Sequence, residues 1–154
     1  MYSGVPIFVT SFYAVFIKLV LYSLFLKFAY QFSSLIEFEY TAILSLIIGC
    51  FGAIRQFEVK RFLAYSSITH IGFLLAGGDI NALLIYILTY VLASLAFFIV
   101  MINISTNGSE ITYLTDLRFV NSSCSQLDRL LLLFALSSMA GLPPFAGFYG
   151  KIIV

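Results

Sequence analysis

The feature that most constrains this chain is an apolar run from Ala82 to Ile102 that contains no charged residue. A helix that spans a bilayer needs about 20 mostly apolar residues, so this run is long enough to cross a membrane. The chain of 154 residues is 62% hydrophobic and 10% charged, whereas soluble domains are about 25% charged. Its net charge of +1 offers little attraction to nucleic acid. We therefore expect one integral membrane domain rather than a soluble, disordered or nucleic-acid-binding chain.

Four more apolar stretches accompany this run and extend the prediction to five membrane segments. The stretches are too long and too continuous for strands of alternating polarity, so they predict an all-α fold. The last stretch is interrupted between Gly141 and Gly147, and the two adjacent prolines there predict a discontinuous helix. The expected segments are about 5–30, 36–54, 62–77, 82–102 and 130–154, with a polar loop at 103–129 that leaves room for a short surface helix around 111–120.

The charged loop residues predict how these segments are oriented. Five crossings divide the loops between two sides of the membrane. One side holds Arg55, Lys60, Arg61, Arg118 and Arg129, and the other holds Lys27, Glu37, Glu39 and Asp79. Because Lys and Arg concentrate in loops that are not translocated, the basic side is expected to face a bacterial cytoplasm or a mitochondrial matrix.

Lys18 lies near the middle of the first expected segment. A lysine at the centre of a membrane helix costs roughly 2.5–3.5 kcal/mol on insertion scales, so an arrangement that offsets this cost is expected. Ser11 and Tyr22 lie on the same face of an ideal α-helix and add polar groups to that face. Two interpretations stay open. Lys18 carries protons, as buried lysines can, or it pairs or reaches an interface for structural reasons.

His70 is the single histidine and lies within the third expected segment. Ser66 and Ser67 precede it by four and three residues and share its helical face. One interpretation is a core histidine that hydrogen-bonds a serine or the backbone. The other is a relay group, since imidazole changes its charge near neutral pH. A lone histidine, with Cys50 and Cys124 far apart and outside any ligand spacing, predicts neither a metal site nor a disulfide.

Pro143 and Pro144 interrupt the fifth expected segment at membrane depth. Proline has no backbone N–H, so adjacent prolines break a helix, and unwound backbone at this depth survives only inside protein or beside water. Lys151 follows the break closely. A broken helix beside a buried lysine is a recurring feature of ion pathways in transporters. The alternative is a simple proline kink followed by an interfacial lysine.

Three stretches of the sequence resemble a known family. Residues Arg55–Phe73, RQFEVKRFLAYSSITHIGF, resemble the signature R-Q-x-x-x-K-R-x-L-A-Y-S-S-I-x-H-x-G-[YF] of the antiporter-like subunits of respiratory NADH:quinone oxidoreductase, or complex I. Residues Leu142–Lys151, LPPFAGFYGK, are similar to the family's P-P-x-x-G-F-x-G-K at a broken helix. Residues Tyr2–Thr10, YSGVPIFVT, followed by Lys18, are similar to the start of the same region in the subunit 2 branch, called subunit N in bacteria. Order and spacing agree along essentially the whole chain.

The resemblance implies a function for the polar residues. Lys18, His70 and Lys151 would belong to a hydrated polar axis that moves protons along the membrane arm. NADH, FMN, iron–sulfur clusters and ubiquinone would be bound by other subunits, so no cofactor and no redox chemistry is expected in this chain. The implied location is the mitochondrial inner membrane, with a bacterial plasma membrane as the alternative. The implied partners are lipids and the other membrane-arm subunits.

The chain also departs from the family pattern. It resembles only the later helices, so the family's earlier glutamate and lysine positions have no counterpart here. We therefore expect a fragment. It is either the product of a split gene, completed by a separate chain that supplies the missing N-terminal helices, or a truncation of a longer subunit. Two alternatives to the complex I function stay open: a membrane subunit of a related cation/proton antiporter or membrane-bound hydrogenase, and a structural fragment without pumping activity.

Overall fold

The computed structural model describes residues 4–31, 36–77, 80–106, 111–117 and 125–153. Most of these residues are helical and none of them forms a β-strand longer than an isolated bridge, which confirms the predicted helical class. The helices are α1 (Ile7–Phe12), a π-helical turn (Tyr13–Ile17), α2 (Lys18–Gln31), α3 (Ile36–Ile54), α4 (Val59–Ala76), α5 (Ile80–Thr106), α6 (Gln126–Ala140) and α7 (Ala146–Ile153). The α1 helix, the π turn and α2 follow one another without interruption.

Helices α5 and α6 both extend into the stretch predicted as a loop at 103–129. The α5 helix continues to Thr106 because Ile104 is buried and the Ser105 hydroxyl donates to the carbonyl of Ile102 within the helix. At the start of α6, the Ser125 hydroxyl accepts from the backbone N–H of Asp128 and donates to its carboxylate, which is a reciprocal N-terminal cap. The hydrogen bond from Ser125 also holds the pKa of Asp128 below its usual value.

The described part of the expected surface helix, Ile111–Leu117, contains no α-helix. Its backbone pairs instead with the turn before α4: the N–H of Leu114 donates to the carbonyl of Phe57 at 2.8 Å, and the N–H of Val59 donates to that of Thr112 at 3.1 Å. Backbone groups that bond another segment are not available for a local helix. The prediction of a surface helix is therefore wrong over these residues, and positions 118–120 lie outside the described ranges.

Three loop regions meet at one end of the helices. Lys60, at the start of α4, donates from Nζ to the carbonyl of Val5 at 2.6 Å, before α1. Residues 111–117 pair with the same turn, and Arg61 forms an ion pair with Glu58 at 2.9 Å within it. Lys60 and Arg61, two of the basic residues predicted to lie on one side of the membrane, are therefore at this end.

The outward surface is strongly apolar. Within the described residues, two helical stretches are long and apolar enough to cross a membrane, Ile7–Lys27 and Ile80–Ser105, and Phe38–Ile54 is a shorter apolar helix. Phe8, Phe51 and Ile54 are 72%, 72% and 78% exposed. Soluble monomers rarely expose contiguous apolar patches beyond a few hundred Å². This surface is suited to contact with lipid or with other membrane helices.

Helices α3 and α4 pack closely through small residues. A side chain at Gly49 of α3 would bring its Cβ to 2.5 Å from Cγ2 and 2.8 Å from the backbone nitrogen of Thr69 on α4. Membrane helices associate largely by van der Waals packing, and small residues allow their backbones to approach. Gly49 therefore sets the distance between these two helices.

We expect Gly49→Leu to separate α3 from α4 and to lower the yield of folded protein in detergent strongly. The added carbon atoms meet backbone at Thr69, which has little room to move. Gly4→Leu is the matched control, since a Cβ at Gly4 meets nothing within 4 Å. Size-exclusion profiles of the purified variants measure the effect. Equal monodisperse yields for both variants would contradict this account of the packing.

Two buried apolar clusters define where polar side chains lie. One cluster, near the basic end, is formed by Ile7, Val15, Val59, Phe97, Val100, Met101, Ile104 and Ala135, among others. The second is formed by Tyr22, Leu74, Leu83, Tyr86 and Ile87. Along α2, α4 and α5 the residues Lys18, His70 and Tyr90 fall between the positions that supply the two clusters. The helices thus hold a polar layer between two apolar ones.

Candidate functional site

Lys18 begins α2 and points between the helices. Its Nζ donates to the Tyr90 hydroxyl of α5 at 2.8 Å and lies 5.1 Å from the centre of the tyrosine ring. The side chain is half-buried. A phenol oxygen that accepts from the amine replaces part of the hydration that the lysine loses, which offsets some of the cost of burial.

The π-helical turn before Lys18 changes which residues share its face. A π turn closes i→i+5 hydrogen bonds and so contains about one residue more than an α turn. The residue two turns before Lys18 on the same face of the helix is therefore Thr10, eight positions earlier, rather than Ser11. Thr10 is 2% exposed and lines a small cavity with Ala14, Lys18 and Ser67. Ser11 instead donates to the carbonyl of Phe8, so the prediction that Ser11 lies beside Lys18 is wrong.

His70 is buried between α4 and α5. Its Nδ1 lies 2.6 Å from the Tyr86 hydroxyl, and its ring centre lies 4.4 Å from that of Tyr90. The sequence suggested a serine or the backbone as a structural partner. The structure has a tyrosine of α5 in that role, while the Ser67 hydroxyl donates to the carbonyl of Ala64.

The two serines before His70 line cavities rather than bind it. Ser67 is buried and shares the wall of the cavity that contains Lys18 and His70. Ser66 lines a small neighbouring cavity with Lys18 and Tyr90, and its carbonyl accepts from the Thr69 hydroxyl. Both hydroxyl side chains thus lie at the polar layer.

The helix break in the last segment follows directly from Pro143 and Pro144. In a continuous α-helix the carbonyls of Met139 and Ala140 would accept from the N–H groups four residues later, which are the two prolines. Proline has no N–H, so both carbonyls lose their helical donors. The α6 helix ends at Ala140, and both prolines are exposed in the connection to α7.

Lys151 supplies the missing donors. Its Nζ donates to the carbonyls of Met139 and Ala140, each at 3.0 Å, and lies 5.3 Å from the centre of the Phe73 ring. Residues 139 and 151 of a continuous helix would be about 18 Å apart along its axis. The contact exists only because the chain folds back after Gly141.

Two glycines make the fold-back possible. Gly141 ends α6 with φ of 78°, a left-handed conformation that a side chain disfavours. Gly147 at the start of α7 packs so closely on α6 that a Cβ there would overlap the carbonyl of Ser138. Together they turn the chain so that Lys151 returns to the end of α6.

Two neighbouring cavities are lined by the three ionisable side chains. A cavity of about 230 Å³ is lined by Lys18, Tyr22, Ser67, His70 and Tyr90, together with apolar side chains of α2, α4 and α5. A second, much smaller cavity is lined by His70, Tyr86, Tyr90, Ser138 and Lys151, among others. The larger cavity has room for several water molecules. Lys18, His70 and Lys151, far apart in the sequence, thus line two cavities that share His70 and Tyr90 in their walls.

Sequence reasoning missed the contribution of α5. Tyr86 and Tyr90 are four residues apart and therefore lie on one face of that helix, a spacing that was visible in the sequence. The segment was interpreted only as an uncharged membrane span. In the structure its two hydroxyls contact His70 and Lys18.

Comparison with known proteins identifies the family. A profile of the family described as NADH:quinone oxidoreductase/Mrp antiporter, TM, matches residues 1–154. The NADH-quinone oxidoreductase subunit N of Methylovorus glucosotrophus is 36% identical over 99% of this chain, and that of Wolbachia sp. subsp. Brugia malayi is 35% identical over 99%. The subunit N of Laribacter hongkongensis is 41% identical over 73% of this chain. The chain spans 34%, 35% and 24%, respectively, of the length of these relatives.

These matches confirm the resemblance to antiporter-like subunits that the motifs indicated. They include the residues of both signatures, Arg55–Phe73 and Leu142–Lys151. The relatives are bacterial and bear the name subunit N. The chain therefore belongs to the NADH:quinone oxidoreductase/Mrp antiporter transmembrane family and is a multi-pass membrane protein similar to subunit N of NADH-quinone oxidoreductase.

Proposed function

We propose that this chain is a proton-translocating, antiporter-like part of respiratory NADH:quinone oxidoreductase, of the subunit 2 or subunit N type. The observation that supports this most is that Lys18, His70 and Lys151 line two cavities with His70 and Tyr90 in common, between two apolar clusters. Ionisable side chains inside a membrane are costly and usually mark ion or proton paths.

The proposed mechanism is charge switching along that layer. Lys18 and Lys151 carry protons in turn, and His70 bridges them, because imidazole both accepts and donates protons. Lys18 exchanges its proton with the groups around Tyr90, whose hydroxyl accepts from its Nζ. Lys151 gains and loses a proton while the carbonyls of the broken helix hold its Nζ. The chain performs no covalent or redox chemistry; other subunits bind NADH, FMN, iron–sulfur clusters and ubiquinone.

We propose that the chain crosses the membrane five times, as the sequence predicts, with the broken helix α6–α7 as the last crossing. The helix bounds, and the position of Lys60 and Arg61 at one end of the helices, support this arrangement. The proposed location is the mitochondrial inner membrane, with a bacterial plasma membrane as the alternative. The proposed partners are the other membrane-arm subunits.

The family description favours one rival function, since it also names Mrp antiporters. A cation/proton antiporter would exchange sodium for protons without any oxidation of NADH. A membrane-bound hydrogenase arm and a structural fragment without pumping are the remaining alternatives.

Native electrophoresis of gently solubilised membranes tests the proposal. Mass spectrometry of the band that oxidises NADH should detect peptides of this chain at one copy. If the peptides migrate elsewhere, in a band that lacks NADH oxidation, the respiratory proposal fails. Sodium/proton exchange in vesicles made from that band would then support the antiporter instead.

A further inference from the structure

We propose that the Tyr90 hydroxyl relays protons between Lys18 and His70. This inference rests on the proposed function and adds a residue of α5 to its path. Tyr90 contacts both groups: its oxygen accepts from Lys18 Nζ at 2.8 Å, and its ring packs on the imidazole at 4.4 Å between centres.

The geometry leaves few other routes between the two groups. Lys18 and His70 both line the cavity of about 230 Å³, and Tyr90 forms part of the same wall. Among the described residues, no acidic side chain lines this cavity. The polar groups available to pass a proton are therefore hydroxyls, and the Tyr90 hydroxyl is already bonded to the lysine.

The relay step leaves tyrosine unchanged. A proton passes from Lys18 Nζ to Tyr90 Oη while the phenol releases its own proton to a water molecule in the cavity. That water passes a proton to the imidazole of His70. Lys18 becomes a neutral amine, His70 becomes an imidazolium, and rotation of the Tyr90 hydroxyl restores its starting state.

Tyr86 has a different role in the same layer. Its hydroxyl is 2.6 Å from Nδ1 of His70 and its side chain is 2% exposed. When Nδ1 carries the ring hydrogen and donates it to Tyr86 Oη, Nε2 holds the lone pair that accepts a proton. Tyr86 is thus a positioning residue that holds the imidazole at Nδ1, whereas Tyr90 lies on the path itself.

Tyr90→Phe tests the relay in the intact complex in membrane vesicles. The change removes one oxygen atom and keeps the ring against His70. We expect NADH-driven proton uptake to fall by about tenfold or more, in the range of a lost acid–base group. Oxidation of NADH by ferricyanide, which bypasses the membrane arm, should stay unchanged. Tyr40→Phe, at a tyrosine of α3 that is 75% exposed, is the matched control and should pump normally.

Lys18→Met, measured beside it, separates the two proposals. A defect in both variants supports the relay. Normal uptake by Tyr90→Phe with a defect in Lys18→Met overturns the relay and leaves the proposed function standing. Normal uptake by both variants overturns both proposals.

A second variant distinguishes a proton relay from a structural role of Tyr90. It also provides a test if the Tyr90→Phe complex assembles poorly. Incorporation of 3,5-difluorotyrosine in place of Tyr90 keeps the ring and hydroxyl but makes the phenol more acidic. If the hydroxyl passes protons, the pH profile of proton uptake should shift, and the same replacement at Tyr40 should leave it unchanged. An unshifted profile at position 90 would overturn the relay.

Discussion

Lys18→Met is expected to reduce NADH-driven proton uptake by about tenfold or more while the helices stay folded. Methionine matches the length of the lysine stem and packs in the same space, so the change removes the amine with little loss of apolar contact. The Tyr90 hydroxyl then loses its donor, and the cavity between α2, α4 and α5 loses its cation. Fluorescence quenching of an acridine dye in membrane vesicles measures the initial rate of uptake.

Lys27→Met is the matched control, because Lys27 lies on the same helix and its side chain is exposed. Its uptake should equal that of the unmodified complex. Normal uptake by both variants would show that Lys18 is not on the path. An equal loss of uptake in both variants would indicate a general effect of charge on α2.

Replacing both prolines, in the double variant Pro143→Ala and Pro144→Ala, is expected to join α6 to α7 and to abolish most proton uptake. Alanine restores the N–H donors for the carbonyls of Met139 and Ala140, and proline is less favourable than alanine in a helix by about 3 kcal/mol per residue. Lys151 would then lie about 17 Å along the axis from the carbonyls it now binds. Proton uptake and an electron cryomicroscopy structure of the variant complex measure both consequences.

Pro6→Ala serves as the control for this variant. Pro6 is an exposed proline at the start of α1, where a missing N–H has no partner to lose. It should neither alter the helix nor affect uptake. A double variant that keeps the break between α6 and α7, or that pumps at the normal rate with a continuous helix, would contradict the function assigned to the break.

The sequence was sufficient for the helix class and for the break. Long apolar runs without alternation exclude strands, and the missing N–H of proline is a property of the residue itself. The sequence was also sufficient to single out Lys18, His70 and Lys151, because a charge in an apolar run stands out on its own.

The partners of those residues were not predictable from the sequence. The π turn at Tyr13–Ile17 has no sequence signal. Because of this turn, Thr10 rather than Ser11 lies on the helical face of Lys18. The two carbonyls bound by Lys151 depend on how closely α7 returns to α6, which Gly141 and Gly147 determine only in three dimensions.

Helix α5 illustrates the same limit. Its apolar residues surround the helix on every side, so periodicity does not show which face turns inward. Tyr86 and Tyr90 become informative only when α4 and α2 are packed against that face. In the same way, the pairing of residues 111–117 with the turn before α4 replaced a helix that local composition had suggested.

The most direct test of the account is a double-mutant cycle on proton uptake with Lys18→Met and Lys151→Met. If both lysines lie on one path, either change alone blocks it, and the double variant should pump no more slowly than the more severe single variant. The variants are compared in vesicles with equal NADH:ferricyanide activity, so that differences in the amount of assembled complex do not affect the measured uptake. Effects that multiply in the double variant, as for independent sites, would contradict a single path through Lys18, His70 and Lys151.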